Sequence, residues 1–332
     1  MPATTLAKDN LRPSALNSFI GQSKTKKALS IAIDGANARE EPCAHTLLVG
    51  PPGLGKTTLA FIIAEETKRQ LITASGTSLT KIPSLATILN QLPQNGGVVF
   101  IDEIHRLPNV VAEALYSVME DYRLDVTTEK MHINMHLPKF TLVGATTRQG
   151  LITKPMRDRF VENYHLEFYS MPELIEIIKR SAAILKLDIE DKAAEGIAQR
   201  CKRTPRIANN LLLQSRNFAL SYHIAQVSFP VVLGMMEVLE IDELGLTRTD
   251  RTILETIIDK FHGGPVGLDT LAATMVEESD VLERVHEPYL MQEALLERTA
   301  RGRVVTRAAY KHLQRPLPAT GPFAPNPYDR DF

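Results

Sequence analysis

The 332-residue chain has no tryptophan and only two cysteines, Cys43 and Cys201. These lie far apart without metal-ligand spacing, a pattern that fits a reducing cytoplasm and excludes a small disulfide scaffold. No apolar run approaches the roughly 18 residues of a membrane span, which excludes a helical membrane protein. The first residues lack the long apolar stretch of a secretory signal, so a cytoplasmic location is expected. Neither sign of charge dominates: 38 Lys+Arg stand against 39 Asp+Glu, a net charge of −1. Taken over the whole chain, that balance gives no hint of a polyanionic partner. What is present, 44% hydrophobic and 23% charged residues, is ordinary for a globular protein of two to three domains.

Up to Tyr169 short apolar runs alternate with helical stretches. His45–Val49, Leu71–Ala74, Val98–Ile101 and Thr141–Gly144 are each too short for a helix and end at breakers. They predict buried strands, with helices at Gly21–Ala38, Thr57–Thr67 and Val110–Tyr122 between them. This order implies an α/β domain with a parallel sheet covered on both faces. From Pro172 to Ser221 the pattern becomes a set of amphipathic helices, the mark of a small helical domain. From about Glu243, three helices (Asp250–Phe261, Leu268–Met275, Val281–Gln292) precede a hairpin of Leu295–Arg298 and Arg303–Thr306. That is a winged-helix arrangement. The expected divisions are 1–169, 170–242, 243–315 and a proline-rich, extended tail at 316–332.

Gly50-Pro51-Pro52-Gly53-Leu54-Gly55-Lys56-Thr57 matches G-x-x-x-x-G-K-[ST]. Glycines let the backbone turn its N–H groups toward phosphates, and the next helix adds its positive end. Lys56 would supply a point charge to the β- and γ-phosphates of ATP, and the Thr57 hydroxyl a ligand for Mg²⁺. Downstream, Val98–Ile101 runs into Asp102 and Glu103. Asp102 suits a role beside Mg²⁺, and Glu103 could deprotonate the attacking water. Acid pairs after strands also serve as plain helix caps, but a phosphate loop upstream favours hydrolysis. Thr146 and Thr147 could hold that water or the γ-phosphate, although a simple turn explains them nearly as well. Arg157 and Arg159 flank Asp158, so a surface ion pair competes with an arginine reaching a neighbour's phosphate.

These motifs resemble those of the RuvB family of AAA+ ATPases. The resemblance rests on Leu11-Arg12-Pro13, Phe19–Gln22, Gly50–Ala60, Phe100–Leu107, Met119–Tyr122, Gly144–Arg148, Arg157–Phe160, Thr204–Asn209 and Gly263–Asp269. It implies a P-loop AAA+ module with a helical small domain and a C-terminal winged helix. It further implies a homohexameric ring on duplex DNA, driving branch migration of Holliday junctions with RuvA and RuvC in recombination, DNA repair and the SOS response. By the same resemblance, Gly50, Gly53, Gly55, Lys56, Thr57 and Thr58 hold the nucleotide phosphates, with Thr57 and Asp102 on Mg²⁺. Thr146 matches the sensor after the strand, Arg159 the arginine finger offered to a neighbouring subunit, and Arg206 the sensor of the small domain. Leu11, Arg12 and Tyr169 surround adenine and ribose, and Glu120, Asp121 and Tyr122 lie near the nucleotide. Two positions depart from the pattern: Val161 and Arg203 stand where relatives carry glycine. The Leu124–Leu137 stretch, which docks on RuvA in relatives, is short. It alternates as a two-faced hairpin, with His132 and His136 on one face.

Six basic residues and no acid fall between Arg298 and Arg315. The run overlaps the expected wing, where Gly302 would project Arg298, Arg301 and Arg303, so these three are the candidate DNA contacts. The domain around them, from Glu243 to Phe332, holds 11 Lys+Arg against 14 Asp+Glu, so the patch is local. A clamp-loader-like switch and an ATP-responsive winged-helix regulator are the competing readings of the same motifs.

Overall fold

A computed structural model describes residues 11–128 and 131–317, with the side chains of 126–128 and 131–133 left aside. The expected tail from 318 onward and the His132 side chain lie outside the described residues. The structure forms two compact units. One holds residues 11–187 with Arg203–Asn210, the other Asp188–Lys202 with 211–317. The helical stretch expected as one small domain therefore divides between them. None of the described helices is long and apolar enough to cross a membrane.

The first unit is built on a five-stranded parallel sheet, ordered β2 (Gln70–Ser75), β3 (Gly97–Asp102), β6 (Thr141–Thr146), β1 (Thr46–Val49) and β7 (Glu162–His165). β1, β3 and β6 are apolar almost throughout because helices cover both faces, so neither face alternates with water. The sheet's helices are α1 (Ser23–Ala38), α2 (Lys56–Glu66), α3 (Ile82–Leu89), α4 (Asn109–Asp121) and the short α5 (Lys154–Asp158). Leu85, Leu89, Leu115 and Phe140 form the centre of one core against the sheet, each fully buried.

The edge strand β7, Glu-Asn-Tyr-His, escapes any apolar-run criterion. It is fixed by pairing in parallel with β1, Thr46 opposite Glu162 through Val49 opposite His165. Arg123–Thr128 (β4) and Met131–His136 (β5) form the expected antiparallel hairpin, Arg123 opposite His136. Leu124 is fully buried, and Met135 and Leu137 pack on the same core. Helix α6 (Met171–Ile184) completes the unit. Its start is set by Pro172 and by Glu173, whose Oε2 accepts bonds from the Ser170 amide and hydroxyl, both at 2.7 Å.

The second unit contains α7 (Asp191–Arg200), the later turns of α8 (Pro205–Ser221) and α9 (Phe229–Val238), the last without a motif to announce it. The winged helix follows: α10 (Arg248–Phe261), α11 (Leu268–Met275), then α12 (Ser279–Val281) running through a π-helical turn, Leu282–His286, into α13 (Glu287–Gln292). Strands β8 (Leu296–Thr299) and β9 (Gly302–Val305) form the hairpin, and α14 (Arg307–His312) closes the domain. Leu254, Ile257, Leu282 and Leu290 make its core. The third helix is thus present where expected but interrupted, with Pro288 just after the π-turn.

Candidate nucleotide site and wing

Strand β1 ends at Val49 and the chain turns through Gly50–Gly55 into α2. Gly53 and Gly55 take φ of +82° and +106°, which side chains rarely adopt. A Cβ on Gly53 would also stand 2.7 Å from the Thr204 methyl. Lys56 opens the helix nearly buried, its ammonium donating to the carbonyls of Gly50 at 2.6 Å and Pro51 at 2.8 Å. Burial lowers its pKa to about 8, against the opposing pull of Glu103 and Asp102.

The loop forms one wall of a cavity of about 360 Å³. Thr57, Thr58, Asp102 and Glu103 line it, as do Leu11, Arg12 and Tyr169. Arg206 closes it, together with Asn209 and Asn210. The cavity therefore gathers the two halves of the phosphate site with the predicted base pocket and Arg206. Arg180 is a lining residue that no motif announces. Its guanidinium donates to the carbonyls of Leu11 at 2.6 Å and Ser18 at 2.8 Å, tying down the N-terminal segment that makes the base wall. Tyr169 holds the loop from behind, its hydroxyl donating to the Leu54 carbonyl at 3.2 Å.

Asp102 ends β3, and Glu103 follows in the left-handed region at φ +49°. The Asp102 carboxylate accepts the Glu103 amide at 3.0 Å. The Glu103 carboxylate accepts from the Thr147 hydroxyl at 3.2 Å and faces the His105 Nδ1 at 3.2 Å. The two threonines at the end of β6 are not equivalent. Thr147 lines the cavity beside Glu103, whereas Thr146 is fully buried with its hydroxyl 2.8 Å from His105 Nδ1. Expected as the sensor, Thr146 sits one step behind the cavity, and Thr147 occupies the position facing it. Thr146 ends β6 with its side chain in the core, and Thr147 follows in the bend that leaves the strand beside Glu103.

Glu120, Asp121, Tyr122 and Arg159 do not line this cavity among the described residues. Arg159 lies elsewhere on the same unit, its Nη2 3.0 Å from Glu120 Oε2, its Nη1 bonded to the Pro155 carbonyl, and its guanidinium 4.7 Å over the Tyr116 ring. Tyr122 ends α4 in the left-handed region and packs edge-on to Phe140 at 5.9 Å. Glu120, Asp121 and Tyr122, expected near the nucleotide, and Arg159, expected to serve a neighbouring subunit, thus all stand outside the lining of the chain's own cavity. Of the two departures from glycine, Val161 is simply exposed. Arg203 takes φ +53°, directly after Lys202 at +52°, which is a conformation that glycine adopts without strain.

In the second unit the wing is a tight hairpin with Arg301 exposed at its tip. Gly302 is required there, since a Cβ would run into the Val266 carbonyl. Next to its tip the hairpin is stitched to Val266 by two backbone bonds to Arg303, of 2.8 and 3.0 Å. The patch without acids in sequence is not without acids in space. Glu287 and Glu283 reach Arg298, Glu287 also holds Arg303, and Asp259 lies 3.2 Å from Arg315.

Family models agree with this geometry along most of the chain. The Holliday junction DNA helicase RuvB P-loop domain matches residues 11–166, the RuvB AAA lid domain 169–242, and the RuvB C-terminal winged helix domain 243–314. Among solved structures, the chain is similar to the Thermotoga maritima RuvB Holliday junction branch migration motor. Identity is 48% over 93% of this chain and 100% of that one, with a TM-score of 0.87. A point mutant of the same Thermotoga protein matches at 49% identity over 93% of this chain and 99% of that one, with a TM-score of 0.88. The phosphate loop and acid pair facing one cavity, the three matched domains and this identity lead to one conclusion: the chain belongs to the RuvB family and is a P-loop ATPase.

Proposed function

We propose that this chain is the ATP-driven motor of Holliday junction branch migration, acting as a homohexameric ring on duplex DNA with RuvA and RuvC in cytoplasmic recombination and repair. The observation that carries the ATPase half is the convergence of Lys56, Asp102, Glu103 and Arg206 on one cavity. A nucleoside triphosphate fits its chemistry, because Lys56, Arg12 and Arg206 offer positive charge to a polyanion. Thr57 and Asp102 are oxygen donors on the same wall and would hold Mg²⁺. That ion, when bound, neutralises charge on the β- and γ-phosphates.

On binding, Lys56 exchanges the Gly50 and Pro51 carbonyls for phosphate oxygens. Glu103 accepts the proton of the attacking water, with Thr147 holding its carboxylate in place. The position of Arg159 outside the cavity supports its service to a neighbouring subunit. In this reading residues 1–169 form the large ATPase domain and 170–242 the lid that Arg206 couples to the nucleotide. Residues 243–315 form the DNA-binding head, gripping phosphates through Arg298, Arg301 and Arg303, and 316–332 the tail. The β4–β5 hairpin is the surface for RuvA.

The test is ATP-dependent dissociation of a synthetic four-way junction, with and without RuvA, beside a linear duplex. Junction dissociation that needs ATP and is stimulated by RuvA is expected. Translocation on linear duplex without any action on the junction would overturn the reading.

A further inference from the structure

Glu287 is a carboxylate with 1% exposure at the start of α13, a place where a charge is costly unless fully paired. Its pairing is complete. Oε1 accepts the Arg303 Nε at 2.7 Å, while Oε2 accepts the Arg298 Nη2 at 2.6 Å and the Arg303 Nη2 at 3.2 Å. Arg298 and Arg303 stand directly opposite each other across the hairpin. Two like charges in that register repel and would splay the wing's side chains apart. The buried carboxylate between them reverses the sign of the interaction. Glu283, one turn earlier, adds a second contact to Arg298 at 3.3 Å. The Arg298 side chain nevertheless remains 41% exposed.

We infer that Glu287, assisted by Glu283, is a positioning residue for the DNA grip. It holds the facing arginines of the wing in one fixed arrangement, so that Arg298, the more exposed of the two, meets a duplex backbone preorganised. A flexible arginine loses rotamer freedom on binding a phosphate, whereas one already fixed by a carboxylate loses less. The same contacts tie the wing to the third helix, so hairpin and helix present themselves as one surface. This inference rests on the wing being the DNA contact.

It makes a prediction opposite in sign to simple electrostatics, in which removing an acid beside a polyanion site tightens binding. In the full-length protein, binding of a random-sequence duplex is measured by fluorescence anisotropy from about 50 to 200 mM salt, a range over which phosphate contacts dominate. Glu287→Gln is expected to weaken binding about tenfold and to flatten the plot of log affinity against log salt by about one contact. Glu283→Gln, at a partly exposed position unable to collapse the core, is expected to weaken it about twofold. Glu278→Gln, an exposed acid on the same domain, reports the bare effect of removing one charge and is expected to leave affinity equal or slightly tighter.

Binding as tight as or tighter than wild type in Glu283→Gln, or in folded Glu287→Gln, overturns the inference. So does a loss of thermal stability with no change in salt slope. Arg298→Ala and Arg301→Ala test the underlying reading separately. If both bind like wild type, the wing is not the DNA contact. If they weaken binding while the two glutamate variants tighten it, the wing reading stands and the positioning role of Glu287 fails.

Discussion

The Arg159 guanidinium lies 3.0 Å from the Glu120 carboxylate and stacks over Tyr116, away from the cavity that holds Lys56 and Glu103. One chain thus carries a phosphate site on one part of its surface and a fixed arginine on another. In the proposed ring, this arginine would serve the phosphate site of the next chain. Arg159→Ala is expected to keep ATP affinity and to lose turnover by about a thousandfold in assembled rings. Mixing it with Lys56→Ala subunits should restore part of the activity, because each supplies what the other lacks. ATP turnover in titrated mixtures checks this; no recovery at any ratio would place Arg159 in cis.

Lys56, the proposed phosphate ligand, stands where burial disfavours its charge. Its folded-state pKa, lowered by burial to about 8 from the ordinary 10.5, means that the unfolded chain binds the proton more tightly. The cost is complete below pH 8 and fades as pH rises toward 10.5. Lys56→Met is therefore expected to abolish turnover while raising nucleotide-free stability at pH 7 by on the order of 2 kcal/mol. The gain should shrink at pH 10. Urea unfolding at both pH values measures it, and a gain independent of pH would show that another cause dominates.

Thr146 ends β6 and Thr147 follows it, and the two hydroxyls have different partners. Thr147→Val removes the hydroxyl that holds the Glu103 carboxylate, and turnover should fall about tenfold at unchanged melting temperature. Thr146→Val leaves the buried His105 without that hydroxyl and should destabilise the fold by about 1 kcal/mol. Glu103→Gln should stop hydrolysis while ATP still binds. Steady-state turnover beside thermal melts separates the three, and equal losses of stability in both threonine variants would contradict the division.

Arg203 occupies the left-handed region without being glycine. Arg203→Gly is expected to relieve that strain, with a net gain below about 1 kcal/mol because glycine also raises the entropy of the unfolded chain. The backbone bond from the Tyr169 amide to the Arg203 carbonyl, 3.1 Å long, is unaffected by the change. Denaturant titration checks this, and a loss of stability would mean that the arginine side chain contributes more than its backbone costs.

Much of this protein is determined locally and is legible in the chain itself. Buried parallel strands declare themselves as short apolar runs, and the phosphate loop as glycines at fixed spacing, because backbone geometry and burial act on a few consecutive residues. The hairpin wing was legible for the same reason. Strand β7 was not, since Glu162–His165 are held in the sheet by pairing with β1 and by nothing in their own hydrophobicity. Arg180 gave no signal either, because its role depends on carbonyls more than 160 residues away in sequence.

The run from Arg298 to Arg315 contains no acid along the chain, yet tertiary folding surrounds it with Glu283, Glu287 and Asp259. Which threonine faces Glu103, and that Arg159 lies outside its own chain's cavity, are likewise decisions of the tertiary structure. Local propensity and spacing can specify what a residue is able to do. Only the packing of distant segments specifies what it is beside, and Coulomb and hydrogen-bond energies depend on that distance in space rather than on separation along the chain.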